Sequence, residues 1–304
     1  MSKSMENKKL LFIINKYSGS SYQAGVEGRI LMQCAKLGLE CTIEFTRGRG
    51  HATELAGQAA QSNIYDVVFA VGGDGTVNEV AQGVLHTKQI MGIIPKGSGN
   101  GLARHLGIPV NFKQALQYIG STTIIDMDSF IMNDQLSVNV SGIGFDGHVA
   151  GLFGKNGKRG LVGYTKLVLK EFFNYSEFTT DLQIDSQSFR QEAFVIAIAN
   201  SSQFGNNARI APHASVCDGL LDISLIRKPP ISQTAGFITK MFSGRLHHSA
   251  YAEIKKGKKV MLSFPEPVNY HVDGEGKNAI SKFKIEILPA SIHMLVPTAS
   301  LNKV

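Results

Sequence analysis

The sequence has 304 residues, of which 43% are hydrophobic and 18% are charged, a length that suffices for one large domain or two ordinary ones. Its 31 Lys and Arg outnumber its 24 Asp and Glu, and the net charge is +7. That charge fits either plain solubility or an acidic partner such as phosphates, an anionic membrane surface or nucleic acid. RNP aromatics and a KH loop do not occur, so nucleic acid is not an expected partner.

The sequence also lacks the signals of secretion and of membrane insertion. The apolar run at 10–14 is too short for a signal sequence, and no stretch reaches the ~18 apolar residues that cross a bilayer. The three cysteines form no CxxC pair, which favours buried, reduced thiols. We therefore expect a cytoplasmic protein whose membrane contact, where there is any, is peripheral and at the inner face.

The first part of the chain alternates strand-like and helix-like segments. Compact apolar runs predict buried strands, and apolar residues at helical spacing predict helices. The predicted elements are a strand at 10–14, a helix at 23–37, a strand at 39–45, a helix at 51–61, a strand at 67–71, a helix from Thr76, and a strand at 90–94. This order predicts a doubly wound, parallel α/β nucleotide-binding domain over 1–126, to which 291–304 is a candidate return.

The pattern changes near residue 126. Short strand-like runs follow, with hairpin turns at Asn133-Asp134 and Asp185-Ser186. Later strands are predicted at 220–226, 260–264, 268–272 and 283–288, and helices at 161–173 and 231–243. Residues 127–290 are therefore predicted to form a second domain, a mainly antiparallel β-sandwich, with a barrel as the alternative.

The segment Gly72-Gly73-Asp74-Gly75-Thr76 links the predicted strand 67–71 directly to a helix. Glycines in such a loop let backbone N–H groups approach phosphates, and the helix dipole favours negative charge there. A plain strand-to-helix turn would need about one glycine, not three. A carboxylate beside a phosphate site is unfavourable unless it meets a metal or a proton to be removed, so Asp74 also favours a functional site.

A second glycine loop, Pro95-Lys96-Gly97-Ser98-Gly99-Asn100, follows the predicted strand 90–94. In a parallel sheet, loops at the carboxyl ends of neighbouring strands face one crevice, so the two loops could clasp one triphosphate. Ser98 offers a hydroxyl, and Lys96 or Arg104 could offer charge. Taken alone, this loop is equally well interpreted as a capped turn with Ser98 at the helix N-cap.

These loops, GGDGTVNEV at 72–80 and PKGSGNGLAR at 95–104, resemble the diacylglycerol kinase and sphingosine kinase superfamily of lipid kinases. Four further motifs follow the order of that family, so the resemblance covers nearly the whole chain. They are Asn15-Lys16-Tyr17-Ser18-Gly19, Gly142-Ile143-Gly144-Phe145-Asp146, Ala211-Pro212 with Cys217-Asp218-Gly219-Leu220-Leu221-Asp222, and His271-Val272-Asp273-Gly274-Glu275.

The resemblance implies a role for each matching stretch. ATP would be bound by Asn15, Thr46, Gly72, Gly73, Asp74, Gly75, Thr76, Asn78, Ser98 and Asn100. Asp218 would hold a Mg²⁺ with the main-chain carbonyls of Ser215 and Leu220. Asp273 or Glu275 would accept the proton of the attacking lipid hydroxyl, and Asp146 would contact the lipid headgroup.

Asp74, Asp273 and Glu275 are also the catalytic candidates on chemical grounds, because phosphoryl transfer needs positioning and a carboxylate near the attacking hydroxyl. Asp273-Gly274 has a plain alternative as a hairpin turn. His271 could tune Asp273, although a histidine on a surface strand is the commoner outcome.

Two departures from the family pattern bear on these roles. Lys16-Tyr17 replaces the usual proline of the first motif, which weakens the contact inferred from that turn. Ser98 stands where most diacylglycerol kinases have threonine, and the GSGN form is more similar to sphingosine and ceramide kinases.

We expect, then, an ATP- and Mg²⁺-dependent lipid kinase that phosphorylates diacylglycerol, a sphingoid base or a related lipid. The alternatives are a soluble kinase of the NAD kinase kind, which also uses GGDGT, and a non-catalytic lipid-binding protein of the same fold. Basic and apolar residues alternate over 153–173, among them Lys155, Lys158 and Arg159, so this stretch is a candidate for membrane docking, with a core helix behind a solvated loop as its alternative.

Overall fold

A computed structural model describes residues 7–19, 25–155 and 161–303 of the chain. It divides into two compact units, the first formed by 1–127 and 290–304 and the second by 128–289. Among the residues described, no helix combines the length and apolarity that crossing a bilayer requires.

The first unit is a parallel α/β domain. Its strands are β1 (Lys9–Ile14), β2 (Glu40–Phe45), β3 (Val67–Gly72) and β4 (Ile90–Pro95). Its helices are α1 (Val26–Lys36), α2 (His51–Ser62), α3 (Asp74–Val84), α4 (Gly101–His105) and α5 (Phe112–Gln117). The strands pair in parallel in the order β4-β3-β1-β2, which confirms the predicted doubly wound sheet.

The apolar pattern of the sequence explains this sheet. Every residue of β3 is buried, and Phe12 of β1 stacks on Phe69 of β3 with ring centroids 4.8 Å apart. On α1, Val26, Ile30 and Cys34 are buried and recur at helical spacing, so they form the face that packs inward. Because the interior is apolar on both faces of β1 and β3, the polar groups of this unit collect in the loops at the strand ends.

The second unit is a mainly antiparallel β-sandwich. Its strands are β5 (Thr122–Met132), β6 (Gln135–Ser137), β7 (Val140–Gly144), β8 (Phe178–Ile184), β9 (Gln187–Ala193), β10 (Val195–Ala199), β11 (Leu221–Ile226), β12 (Ala252–Gly257), β13 (Lys259–Val272) and β14 (Glu275–Pro297). Its helices are α6 (Phe145–Lys155), α7 (Leu161–Asn174) and α8 (Ile231–Phe242). Both β5 and β14 begin in one unit and end in the other.

Antiparallel pairing runs in the order β12-β11-β10-β7-β13-β14, and β8 joins β13 to β9. The positive φ of Asn133, Asp134 and Asp185 shows that both predicted turns are present. The core contains Phe130, Ile143, Ile196, Leu262 and Ile285, all of them buried. The C-terminal part of β14 returns to the first unit, where His293 and Met294 pair in parallel with Ile90 and Met91 of β4.

None of the three cysteines forms a disulfide, and they differ in burial: Cys34 is buried, Cys41 is half-buried and Cys217 is exposed. The expectation of buried thiols is therefore wrong for Cys217, which lies in the loop before β11, where no sheet or helix covers it.

Candidate active site

Three loops meet at the carboxyl ends of β1, β3 and β4. The Gly73 N–H donates to Ser18 Oγ at 3.1 Å, and the Lys96 N–H donates to the Gly72 carbonyl at 2.7 Å. These bonds tie the loop after β3 to the loops on both sides of it. Parallel pairing of the three strands brings their ends to one edge of the sheet, which explains why residues so distant in sequence meet.

Close backbone approach at this edge requires glycine. A Cβ built on Gly97 would lie 2.5 Å from Gly73 Cα, and one built on Gly19 would lie 2.5 Å from the Lys96 carbonyl oxygen. Gly19 also has a φ of +82°, in the left-handed region that favours glycine. The two glycine loops thus touch backbone to backbone, as two halves of a clasp for a phosphate chain would.

Side chains fasten the same loops. Asn15 Nδ2 donates to Thr76 Oγ1 at 3.1 Å, and Asp74 Oδ1 accepts the Gly101 N–H at 2.8 Å. Asn100 bridges its own loop: its Oδ1 accepts the Gly97 N–H at 2.9 Å and its Nδ2 donates to the Gly97 carbonyl at 2.8 Å. The structure therefore gives Asn15, Asp74 and Asn100 a part in building the clasp.

The charge that Lys96 and Arg104 could offer is turned into the protein. Lys96 Nζ donates to the Ser18 carbonyl at 2.7 Å, and burial lowers the pKa of this lysine. Arg104 Nε donates to the Gly99 carbonyl at 3.0 Å. Both side chains thus reinforce the loop backbone, which leaves the backbone N–H groups at the start of α3 as the candidates for phosphate binding.

The remaining predicted nucleotide residues lie around the clasp. Ser98 is exposed at the tip of its loop, and Gly75 is exposed in the first turn of α3. Thr46 follows β2, and its N–H donates to the Ile14 carbonyl at 3.0 Å. Asn78 lies one turn into α3, where its Oδ1 accepts Gln82 Nε2 at 2.6 Å.

In the second unit, Asp273 and Glu275 are the two candidates for the general base. They lie at the turn between β13 and β14. Asp273 accepts three hydrogen bonds, from Ser137 Oγ at 2.5 Å, the Val138 N–H at 2.9 Å and the Asn139 N–H at 3.1 Å. Its carboxylate therefore fastens the β6–β7 connection to this turn. Glu275 is exposed and lies 2.9 Å from Lys277 Nζ.

A buried histidine lies beneath the same turn. His271 is only 4% exposed, so the expectation of a surface histidine is wrong: β13 is central in its sheet and turns this side chain inward. The Gly274 N–H donates to His271 Nδ1 at 3.1 Å, which leaves Nε2 to carry the proton of the neutral ring. That Nε2 lies 3.3 Å from Asp146 Oδ2. Asp146 is thus linked to the turn that carries Glu275.

The predicted metal ligand Asp218 already has a counter-charge. Lys256 Nζ lies 2.7 Å from Asp218 Oδ2 and 3.4 Å from Asp222 Oδ2. Burial alone would lower the pKa of Lys256, but its hydrogen bond to Asp218 and the charge of Asp222 outweigh it, and the pKa rises. Burial also raises the pKa of Asp222 to about 6.

An ammonium group lies beside Asp218 in this structure, where a divalent ion would bind. An ammonium group and a divalent cation would repel each other on one carboxylate oxygen, and within the described parts of the chain no cluster of three or more His, Cys, Asp and Glu could hold a metal. Mg²⁺ at Asp218 with the carbonyls of Ser215 and Leu220 stays a prediction, and Lys256 is the group that such an ion would have to displace.

Comparison with known families agrees with this geometry. Residues 9–131 match the model of the diacylglycerol kinase catalytic domain, and residues 139–296 match that of the YegS C-terminal NAD kinase beta sandwich-like domain. The chain belongs to the lipid kinase family that these two domains define. The family assignment made from the six motifs is thereby confirmed.

Relatives of this lipid kinase family member match over most of their length. A protein named diacylglycerol kinase from Bacillus subtilis (strain 168) is 24% identical over 273 residues, which are 88% of this chain and 90% of that protein. One named "Probable lipid kinase YegS-like" from Klebsiella pneumoniae (strain 342) is 26% identical over 267 residues, 86% of this chain and 87% of the other.

A solved structure of a diacylglycerol kinase from Bacillus anthracis str. Sterne superposes with a TM-score of 0.76 at 22% identity, covering 98% of this chain and 100% of that one. At this identity the likeness shows the fold.

Proposed function

We propose that the protein transfers the γ-phosphate of ATP to a hydroxyl group of a lipid such as diacylglycerol or a sphingoid base. The observation that carries the proposal is the backbone contact between the loops at Gly73 and Gly97, set at the start of α3. It supports a clasp for the triphosphate because N–H groups at a helix N-terminus and in glycine loops bind phosphate oxygens without a side chain between them.

Within that proposal, the residues of the first unit hold the nucleotide. Gly72, Gly73, Gly75 and Thr76 would offer backbone groups to the phosphates, with Asn15, Thr46, Asn78, Ser98 and Asn100 around them. Mg²⁺ is proposed to arrive with the nucleotide, where it would neutralise charge on the phosphate oxygens. Asp74 begins α3 beside the phosphates, a position from which a carboxylate orients either that counter-charge or the attacking hydroxyl.

Glu275 is the better candidate for the base. Three hydrogen bonds to Asp273 occupy its carboxylate in a structural task, whereas the side chain of Glu275 is 51% exposed and forms an ion pair with Lys277 Nζ at 2.9 Å. The buried His271, with Asp146 beside it, would then position the turn that carries Glu275, because the Gly274 N–H donates to His271 Nδ1. A contact of Asp146 with the lipid headgroup remains part of the proposal.

A second candidate function is a soluble kinase of the NAD kinase kind. It is favoured by one observation, the description of the matching C-terminal domain as NAD kinase beta sandwich-like. A non-catalytic lipid-binding protein is the third, and the exposed carboxylate of Glu275 argues against it, because a protein that only binds a lipid needs no group to accept a proton.

One assay separates the three. The protein is incubated with γ-labelled ATP and, in parallel, diacylglycerol, a sphingoid base, ceramide and NAD. Label on a lipid supports the proposal, label on NAD favours the second candidate, and no label on any acceptor favours the third.

Two substitutions locate the site. Asp74→Asn is expected to abolish turnover with the fold intact. Asp66→Asn is expected to leave turnover unchanged, because Asp66 contacts Lys8 Nζ at 2.6 Å and the Lys9 N–H at 2.8 Å at the start of β3, at the opposite end of that strand from the clasp. Glu275→Gln is expected to lower kcat by about 10²–10⁴-fold with KM for ATP unchanged. Its matched control is Glu253→Gln, because Glu253 contacts Lys255 two residues on, as Glu275 contacts Lys277. Normal kcat in Glu275→Gln would remove Glu275 as the base.

A further inference from the structure

Helix α8 carries more apolar surface than its packing uses. Phe237 and Met241 pack against a cluster of buried residues that includes Phe194 and Leu246. A second set, Ile231, Ile238 and Phe242, is 72%, 39% and 48% exposed. No residue of α8 is fully buried.

The exposed set forms one stripe. Positions 231, 238 and 242 are separated by seven and four residues, so at 3.6 residues per turn they fall on the same side of the helix. Phe237 and Met241 fall on a different side, roughly a quarter to a third of a turn away. The stripe is thus not a by-product of core packing, and large apolar side chains grouped on a surface mark a docking site.

The charged residues in the segment that contains α8 all have one sign. The segment 227–245 contains Arg227, Lys228, Lys240 and Arg245 and no Asp or Glu. Arg227 is partly neutralised, because its guanidinium lies 3.7 Å from Glu177 and 3.6 Å from Glu192. Lys240 is half-buried, and its Nζ donates to the His248 carbonyl at 2.9 Å, at the end of the helix.

The stripe extends beyond α8. Phe173, at the end of α7, is 60% exposed. Its carbonyl accepts Lys228 Nζ at 3.4 Å, which sets it beside the residues that precede α8. We call Phe173, Ile231, Ile238 and Phe242 the apolar stripe.

We propose that α8 is the membrane-docking element of this protein, lying in the surface of an anionic bilayer with the apolar stripe inserted. An amphipathic helix with apolar residues on one side, basic residues at its ends and no acidic residue is the chemistry that such a surface recognises. α8 also carries the short hydroxyl side chains of Ser232, Thr234 and Thr239, which suit the headgroup layer. The proposal rests on the proposed function for its purpose, since a lipid kinase must reach its substrate.

This places docking elsewhere than the sequence pattern did. Of the candidate stretch 153–173, residues 156–160, with Lys158 and Arg159, lie outside the described residues. Leu167, Val168 and Phe172 pack against the core cluster. The part of α7 with Leu167, Val168 and Phe172 therefore packs as a core helix, and Phe173 at its end is exposed.

Co-sedimentation with vesicles tests the proposal without any need for catalysis. The full chain, without ATP, is mixed with vesicles of phosphatidylglycerol and phosphatidylcholine or of phosphatidylcholine alone. The triple variant Ile231→Ser, Ile238→Ser, Phe242→Ser is expected to lose at least about tenfold in partitioning to anionic vesicles, because full burial of such side chains is worth about one order of magnitude or more each. Lys240→Glu is expected to lose several-fold.

The matched control is the double variant Leu31→Ser, Met32→Ser on α1. Leu31 is 50% exposed and Met32 is 73% exposed. It is expected to bind vesicles as the wild type does. Circular dichroism melts establish that each variant is folded. If the triple variant unfolds, Lys240→Glu still tests membrane docking by α8, because it reverses one charge and leaves the apolar stripe intact.

The outcomes are distinct. The proposal is overturned if the folded triple variant and Lys240→Glu both partition to vesicles as the wild type does. It is also overturned if the wild type does not bind vesicles and elutes as a dimer, while the triple variant elutes as a monomer. Vesicle binding that depends on the stripe, in a protein that phosphorylates no lipid, supports docking and counts against the proposed function alone.

Discussion

Replacing Gly97 by alanine tests the clasp directly. The new Cβ would lie 2.5 Å from Gly73 Cα and 2.9 Å from Asn100 Oδ1. Carbon atoms in contact normally lie about 3.5–4.0 Å apart, so the two loops must separate by about 1 Å. Gly97 is not a positive-φ residue, and the effect therefore comes from contact and not from backbone strain.

The separation acts on bonds that shape the clasp. Both hydrogen bonds between Gly97 and Asn100 lie at the point of overlap. Overpacking of this kind costs about 1–3 kcal/mol. When the nucleotide is absent the loops can relax, so the penalty falls on the ATP-bound form and lowers affinity by about 5- to 150-fold.

Isothermal titration calorimetry with ATP measures the effect, a suitable method because the chain has no Trp to report binding by fluorescence. Gly73→Ala provides a graded comparison: its Cβ would lie 3.2 Å from Gly97 Cα, so a shift of a few tenths of an ångström suffices and affinity should fall less. Gly28→Ala on α1, with nothing within 4 Å of its Cβ, is the control.

Two results would refute this reasoning. Wild-type ATP affinity in a folded Gly97→Ala variant means that the two loops do not jointly hold the nucleotide. A larger loss in Gly73→Ala than in Gly97→Ala means that backbone contact between the loops does not determine affinity.

Other predictions concern stability. Burial raises the pKa of Asp222 from 3.8 to about 6, so the free energy of unfolding of the wild type falls as pH rises through that range. Above pH 6, urea unfolding should show Asp222→Asn to be more stable than the wild type by about 3 kcal/mol. Equal dependence of the two proteins' stability on pH would contradict this. Lys256→Met should melt lower than the wild type and, unlike it, be stabilised by excess Mg²⁺, because an ion can then take the lysine's place beside Asp218; a melting temperature insensitive to Mg²⁺ would count against it. Tyr118→Phe should lose about 1–3 kcal/mol in urea unfolding, because the buried hydroxyl donates to the Ile93 carbonyl at 3.1 Å and accepts its N–H at 3.3 Å; an unchanged unfolding midpoint would show those bonds to be dispensable.

Local patterns predicted the local parts of this protein. The compact run 67–71 and the glycine loop after it correspond to β3 and the start of α3, because a buried strand and a helix N-terminus each have a signature within a few residues. Helices predicted at 161–173 and 231–243 match α7 and α8 within a residue. The turn at Asn133-Asp134 formed because Asn and Asp tolerate positive φ.

Elements whose signal was diluted were missed or shortened. α6 was not predicted as a helix, because Gly147, Gly151 and Gly154 lower helix propensity across its length. β14 was predicted only over 283–288, although it spans Glu275–Pro297, since charged and apolar residues alternate irregularly in its first half. β12 was not predicted either, because Lys255, Lys256 and Gly257 obscure its alternation.

Contacts between distant residues had no local signal. Lys256 lies 38 residues from Asp218, and nothing in the sequence couples an unremarkable strand lysine to a predicted metal ligand. The link between Asp146 and His271 and the task of Asp273 at the β6–β7 connection also depend on strand register. A search of the sequence for carboxylates could find Asp146, Asp218 and Asp273. It could not show which of them serves binding, catalysis or structural support.

The return of β14 to the first unit has a consequence for biosynthesis. Strand β4 pairs on one side with β3, which precedes it in the chain, and on the other with His293 and Met294, nearly two hundred residues later. During synthesis on the ribosome, the sheet of the first unit therefore has an unpaired edge at β4 until the whole second unit has been made. Strand edges of this kind pair readily with foreign strands. The interval before residue 294 emerges is thus when this protein is most exposed to misassembly and most dependent on chaperones, and C-terminal truncations should aggregate even when they spare every residue of the clasp.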